Sequence, residues 1–506
     1  MNEYPTEQGA SGMLLTESIG SVAVSAPERP AVIDARGATS YGRLVGLAAA
    51  YASAMRKTPE EALIGALCEP SAEFIALYLA AIASQRVLVP FNERIPDQQL
   101  LSVLADSDCA MVFCQRPWAG RAEKLAGACG DMGAPRCLED IEPADPGSLV
   151  FHEILGPRDR VACFYTSGMT GDPMGAVLTH GNLSSTVETM LHLTPVDETD
   201  VFTTAVPLWH VYAVVVGCLL PLTAGARIAL CPTASAECVS HTLELHGSTF
   251  VVAPPTVLSR LGQSPETGEA SRLRFALSGG DSLPVEVLGR FEERYGVPVV
   301  ESYGLTEGSA VSTCNPFGGD RRPGTVGRAL PNQTLRIADD RMTLTPMGDV
   351  GEIIIRGPNV MSGYLGRARD TMTVMRDGWL HTGDLGWMDP LGFLHLVGRK
   401  KDLIIVEGLN VYPGHVERVL QALDGILEAC VVGVKEPDRG EVPKAVVVLD
   451  DEAQVSDEDI LEHCRGYLAE YETPQAILRV PRLPKTTAGH LSRATVAHLY
   501  GRSLAD

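Results

Sequence analysis

Lysine is scarce in this chain: seven lysines stand among 41 Lys and Arg residues, against 63 Asp and Glu, for a formal net charge of -22 over 506 residues. A deficit of positive charge this large argues against general nucleic-acid binding and against docking on an anionic membrane surface. A phosphate-bearing ligand would have to be held by local devices such as loops, helix ends and a few cations. Long hydrophobic runs are also missing. The longest, Val211 to Leu222, carries Gly217 and Pro221 and is too short to span a bilayer. The twelve cysteines form no CxxC pair and no cluster with His, so they read as small buried hydrophobes. The opening residues MNEYPTEQGASG lack a basic start followed by an apolar core; no signal peptide is expected there, and the cytoplasm is the expected location. What is present is ordinary globular material, 45% hydrophobic, enough at ~100–200 residues per domain for two to four domains with large cores.

Strand and helix patterns alternate from Ala62 to Cys114: ALIGALC as strand, SAEFIALYLAAIAS as helix, RVLVPF as strand, PDQQLLSVLADS as helix, CAMVFC as strand. That spacing means βαβ units and a mostly parallel sheet. The pattern returns at Phe275–Gly304, where Pro284 sits near a helix start, Gly296 closes the helix and VPVVESYG is the next strand. From Arg322 to about Val397 the short segments RPGTVGRALP, TLRIADD, GEIIIRG and GFLHLVG suggest an antiparallel, barrel-like subdomain. Mixed α/β text then resumes, with HVERVLQAL as helix, EACVVGV and KAVVVLD as strands, and Ser456 capping a further helix. The expected fold class is α/β: a large N-terminal domain of βαβ-type sheets with the barrel-like subdomain, and a small C-terminal α/β domain.

The most informative segment runs from Phe164 through TSGMTGDPMG to Asn182. A strand enters a loop with three hydroxyls and three glycines, which can bend close to a phosphate chain and offer backbone N–H groups. It is not a Walker loop, because no Gly-Lys-[Ser/Thr] opens a helix after it. A plain Gly/Ser/Thr turn is the alternative.

This TSGxTGxPxG segment resembles the phosphate loop of the adenylate-forming superfamily, which includes acyl- and aryl-CoA synthetases, luciferases and peptide-synthetase adenylation domains. Further matches follow in order: PLWHV (207–211), SGGDSLP (278–284), ESYGLTEGS (301–309), GEIIIRGPNVMSGYL (351–365), GWLHTGDLG (378–386), GRKKDLIIVEGLNVYPGHVE (398–417) and PKTTAGHLSR (484–493). The wording is closest to medium- and long-chain acyl-CoA synthetases. The resemblance implies an adenylation domain over 1–398, a hinge at 399–402 centred on Asp402, and a mobile domain over 403–506. It also implies roles. Thr166, Ser167, Gly168, Thr170 and Gly171 would cradle the phosphates of ATP. Gly280, Ser302 and Tyr303 would lie on the adenine side, and Thr306 would meet the α-phosphate. Glu307 would hold Mg2+, an oxygen ligand for a hard cation. Asp384 would accept the ribose hydroxyls with Arg399 beside it, and Gly408 would line the channel for the thiol of CoA. Trp209, His210, Tyr212, Gly279 and Gly304 would line the pocket for a small-molecule carboxylic acid, with His210 also a catalytic candidate between the adenylate and the incoming thiol. Each residue taken alone has a plainer reading: turn residue, solvated carboxylate, core histidine or packing.

Three positions depart from the family pattern. Met169 replaces a hydroxyl in the loop, Met174 replaces its lysine, and His490 stands where the catalytic lysine belongs. An ammonium there bridges substrate carboxylate and α-phosphate as negative charge builds up, whereas a neutral imidazole offers one donor and no full charge. Three readings follow. The chain makes acyl-adenylates, with Lys485 or a charged His490 supplying the cation, and passes the acyl group to CoA. Or it serves another acid or acceptor, such as a carrier-protein thiol, an amine, or nitrite in a diazotase. Or the fold is kept as a non-catalytic, impaired homologue. Five of the seven lysines lie from Lys400 onward, so phosphate-neutralising ammonium groups are expected mainly in the C-terminal part. Nothing in the sequence specifies an oligomeric state.

Overall fold

The structure is a computed structural model that describes residues 15–128, 133–148, 156–167, 173–263, 272–339, 341–436, 439–450, 455–485 and 491–501. The chain packs as two compact units. The larger takes the described residues up to Leu335 together with Ile355–Leu380; the smaller takes Arg336–Ile354 and the described residues from His381 onward.

The larger unit holds two sheets. One runs in the order Gly363–Tyr364, Pro173–Thr179, Arg160–Ser167, Val87–Pro90, Leu63–Leu67, Met111–Cys114, Arg136–Cys137. Its pairings from Arg160–Ser167 to Arg136–Cys137 are parallel, as the βαβ pattern predicts. The helix Ala72–Ser84 between two of these strands is buried at every residue but Glu73, and Ser71 caps it by accepting the Phe74 N–H at 3.1 Å. The other sheet has nine strands, with Val299–Tyr303, Phe275–Ser278, Phe250–Ala253, Val201–Thr204 and Arg227–Leu230 in parallel at its centre. The C-terminal ends of parallel strands are where open α/β sheets bind ligands, and most candidate residues follow those ends.

The longest apolar run is a core element: Val211–Val214 is α-helical, Val215–Leu219 forms a π-turn, and Leu220–Thr223 resumes the α-helix, with Val211–Leu222 buried throughout. At the π-turn the Thr204 hydroxyl donates to the Gly217 carbonyl at 2.9 Å, and a Cβ on Gly217 would stand 2.7 Å from Thr204. No described helix is long and apolar enough to cross a membrane. Nine of the eleven described cysteines are buried and all eleven are free thiols, as small core residues.

The antiparallel text forms a five-stranded sheet of Thr334–Ala338, Gly351–Arg356, Trp379–Met388, Met375–Arg376 and Leu394–Arg399. RPGTVGRALP departs from that expectation. Only Arg328–Ala329 is extended, and it pairs with Thr313–Cys314 on the nine-stranded sheet. Gly327 explains why: at φ +81° it lies so close to the Cys314–Asn315 backbone that a Cβ would sit about 2 Å from it.

The smaller unit carries the sheet Leu409–Val411, Ile404–Val406, Gly440–Leu449, Ile426–Glu436, with Ala476–Arg479 parallel to Gly440–Leu449. The helices Pro413–Gln421, Asp457–Tyr467 and Arg493–Tyr500 accompany it, the second capped at Ser456 in a reciprocal pair with Asp459.

Candidate active site

In the larger unit the phosphate-loop segment begins as a hairpin. Arg160–Ser167 pairs antiparallel with Pro173–Thr179, placing Thr166 opposite Met174, and the Thr166 hydroxyl reaches the Met174 carbonyl at 3.4 Å. Gly168, Met169, Thr170 and Gly171 lie outside the described residues. Met174 is 7% exposed and its side chain belongs to the hydrophobic core. The residue standing in the lysine's place is thus a packing residue.

Strand Val299–Tyr303 delivers the next group. Ser302 donates to the Ser278 carbonyl at 3.1 Å and lies 3.3 Å from the Tyr212 hydroxyl. A Cβ on Gly279 would come within 2.7 Å of the Tyr212 ring, so glycine is what lets the ring lie flat against the backbone there. Tyr303 is buried and leads into Gly304, where a Cβ would stand 2.1 Å from the Ala310 carbonyl oxygen. Ser309 and Ala310 both hold positive φ, +56° and +79°, a strained backbone of the kind found at binding loops. Asn359 and Gln333 hold that strain in place. Ser309 donates to the Asn359 carbonyl at 2.7 Å, and the Asn359 amide donates to Gly308 at 3.0 Å and to Gln333 at 2.9 Å. Within this loop Thr306 opens a 3-10 turn. The Glu307 carboxylate accepts a 2.8 Å hydrogen bond from Tyr364, whose strand pairs with Pro173–Thr179. Glu307 is therefore tied to the strand beside the phosphate hairpin. Desolvation and the Glu307 charge both raise the Tyr364 pKa, so the hydroxyl keeps its proton as a donor.

On the neighbouring loop His210 caps the helix that follows, its Nδ1 accepting the Tyr212 N–H at 3.2 Å. A neutral ring in that bond carries its proton on Nε2. The Trp209 indole N–H is buried without a partner among the described residues.

Glu301 faces the same side of its strand as Tyr303. One carboxylate oxygen accepts the Leu283 N–H at 3.3 Å; the other is buried with no partner among the described residues. Burial pushes this carboxyl from its ordinary 4.5 up to about 8, against the lowering by the Leu283 bond. Such a group holds its proton better folded than unfolded, so stability falls as pH rises from about 5 to 8, by up to ~1.4 kcal/mol per pH unit. Glu301→Gln is expected to flatten that slope in urea-unfolding midpoints taken across the range. Identical slopes in the two proteins would contradict the assignment.

In the smaller unit Asp384 and Arg399 are register partners on adjacent strands, with Nε 3.4 Å from Oδ1. Asp384 is only 16% exposed along its side chain, whereas Arg399 is 61% exposed. Gly408 forms, with Glu407, a two-residue turn between Ile404–Val406 and Leu409–Val411; both have positive φ, and the space where a Gly408 side chain would stand is open. Asp402 is bound to Arg493 at 2.8 Å, and Arg493 also grips both oxygens of Glu417 at 2.6 Å. Lys485 is engaged with Glu428 at 2.8 Å and Lys400 with Glu352 at 3.3 Å. His490 lies outside the described residues.

Two family models match the chain: AMP-binding enzyme over residues 21–365, and AMP-binding enzyme C-terminal domain over 415–490. The chain belongs to the AMP-binding enzyme family. It is similar to an indoleacetate–CoA ligase of Aromatoleum aromaticum, 31% identical over 504 residues that cover 96% of each chain. An oxalate–CoA ligase of Arabidopsis thaliana is 32% identical over 443 residues, covering 84% of this chain and 86% of the relative. Among solved structures, ATP-bound MatB from Rhodopseudomonas palustris superposes with a TM-score of 0.88 at 30% identity, covering 96% of this chain and 99% of that one. As an AMP-binding enzyme the chain is an AMP-forming ligase of the adenylate-forming superfamily, with the mixed α/β fold, half-barrel sheet and small C-terminal domain of that superfamily. ATP and CoA are substrates of that family.

Of the expected site residues in this AMP-binding enzyme, the larger unit brings together Tyr212, Gly279 and Ser302, and separately ties Glu307 to Tyr364. The smaller unit pairs Asp384 with Arg399. Sequence reasoning passed over Glu301, Asn359, Tyr364 and Glu352.

Proposed function

We propose that the chain is an ATP-dependent acid–CoA ligase that joins a small-molecule carboxylic acid to AMP and then to a thiol. A free carboxylate is a poor electrophile, whereas AMP is a good leaving group, so activation precedes thioester formation. Support comes foremost from the Tyr364–Glu307 bond at 2.8 Å, which anchors a carboxylate beside the phosphate hairpin. A hard oxygen donor of this kind suits Mg2+, which is usually held by one or two carboxylates together with substrate phosphates. In this reading Thr166, Ser167 and Thr306 meet the phosphates, while Tyr303 and Ser302 lie by the adenine. Asp384 and Arg399 take the ribose. Trp209, His210 and Tyr212 face the acid, with the unpartnered indole N–H as a donor for a polar group on it. The division into an adenylation part through 398, a hinge at Asp402 and a mobile part carrying Gly408 belongs to the same reading, because a small domain that swings can serve adenylation and thioester formation in turn.

A core-packed Met174 and a Lys485 bound to Glu428 leave the cation beside the α-phosphate to His490. His490→Lys is expected to raise the adenylation rate several-fold; an unchanged or lower rate would mean that the histidine belongs to a retuned site. The acceptor is tested by supplying ATP and acid with CoA, with a carrier-protein thiol, or with an amine, and weighing the products by mass spectrometry. The thioester of CoA is expected. Acylation of another acceptor instead, or turnover with nitrite alone, would assign the chain to a different ligase chemistry.

A further inference from the structure

We propose that Glu352 is a positioning residue for the ribose-binding carboxylate, acting through the backbone of Gly383, next to Asp384 on its strand. The proposal rests on the reading of Asp384 as the ribose acceptor. Glu352 lies on Gly351–Arg356 with its side chain 12% exposed, and three groups of the smaller unit converge on it. Its Oε1 accepts the Gly383 N–H at 3.1 Å; its Oε2 lies 3.3 Å from the Lys400 ammonium and 3.3 Å from Nδ1 of the buried His381. Gly383 holds φ at +70°, a left-handed kink in the strand just before Asp384, and the bond to Glu352 fixes the direction of the Thr382–Gly383 peptide that enters it. The kink has a second anchor: Asp384 N–H donates to the Thr382 hydroxyl at 3.1 Å, which donates to the Ile353 carbonyl at 2.8 Å. Two neighbouring residues of one strand, Glu352 and Ile353, thus set the backbone on both sides of Gly383.

The geometry has a chemical purpose. A carboxylate that accepts two ribose hydroxyls has to present both oxygens in one plane, and an error of about 1 Å is enough to lose such a contact. Lys400, next to Arg399 in the chain, holds Glu352 from the other side. One carboxylate therefore joins the kink before Asp384 to Lys400, at the start of the 399–402 region.

The test compares ATP with 2′-deoxy-ATP and 3′-deoxy-ATP in pyrophosphate release by the full-length wild-type, Glu352→Ala and Glu352→Gln proteins. Wild-type enzyme is expected to lose about ten- to a hundredfold in kcat/KM for each missing hydroxyl, as for a hydrogen bond to a charged group. In Glu352→Ala, ATP itself is expected to be used that much less well, and the deoxy penalty to shrink below about threefold. Glu352→Gln keeps an acceptor for Gly383 and is expected to retain most of the penalty, which loss of a structural charge alone would not produce. If Glu352→Ala unfolds, Glu352→Met removes the acceptor while keeping the bulk and carries the same expectation. A full penalty in the acceptor-less variants, or an equal loss in Glu352→Gln, overturns the positioning role while leaving Asp384 in place. A wild-type enzyme indifferent to both hydroxyls overturns the ribose reading, and this proposal with it.

Discussion

Arg493→Met is expected to destabilise the smaller unit by up to about 3–5 kcal/mol, the upper range for removing one partner from a largely buried ionic cluster. Arg493 faces two carboxylates, Asp402 and Glu417, and donates to the Val431 carbonyl at 3.2 Å. Glu417 also accepts the Val431 N–H at 2.7 Å, which ties the cluster to the strand Ile426–Glu436. Burial pushes the Glu417 carboxyl up, and the guanidinium pulls it back down. Without the guanidinium, Glu417 is left to bury a charge or take up a proton. Its folded-state pKa then rises further above the unfolded value, so the variant loses stability as pH rises, and its deficit is larger at pH 8 than at pH 5. Glu417→Gln added to Arg493→Met is expected to recover part of the loss, as coupled neighbours do. Hydrogen exchange along Ile426–Glu436 and Gly440–Leu449 reads the effect where it originates. A loss below ~1 kcal/mol would mean that the cluster is solvated and carries little.

The second large effect is on activity. Glu307→Gln is expected to lower adenylation by about 10²–10³, the range seen when one preorganised electrostatic contact to developing charge is removed. The amide can still accept from Tyr364, so the loop should keep its shape while the charge for a cation among the phosphates disappears. Melting temperature should therefore stay within a degree or two of the wild type. Tyr364→Phe, which breaks the bond but keeps the charge, is expected to cost less. Equal losses in the two variants would place the importance in the hydrogen bond instead of the charge.

Much of the scaffold could be read directly. The periods of SAEFIALYLAAIAS and CAMVFC, and the Pro284 to Gly296 helix punctuation, correspond to the helices and strands observed, because burial on one or both faces leaves its pattern in neighbouring residues. Long-range arrangements left no such pattern. That the strand after the phosphate loop folds back as a hairpin was not legible, because the turn joining them is loop-like text whichever way it points. Met174 looks like a lost phosphate contact in sequence, and only its place in the core shows that it packs. Tyr364 and Glu307 are 57 residues apart, and Glu352 meets Gly383 across 31, separations over which no local rule operates. Glu301 did leave a trace: a lone acid in the apolar strand VPVVESYG is a buried charge or a neutral acid, and its burial in the fold raises the pKa towards the second.

Of the seven lysines, Lys124, Lys400 and Lys485 already sit in ion pairs with Asp97, Glu352 and Glu428, and Lys444 is fully buried. Three of the five lysines from Lys400 onward are therefore committed to structure.

Pyrophosphate release from Mg-ATP bears most directly on this account. It is measured with a panel of aliphatic, aromatic and dicarboxylic acids, with nitrite, and with no acid. Release is expected to depend on a carboxylic acid and to be strongly reduced in Glu307→Gln. No release with any acid, together with no binding of ATP or AMP, would contradict it and leave the fold as a non-catalytic scaffold.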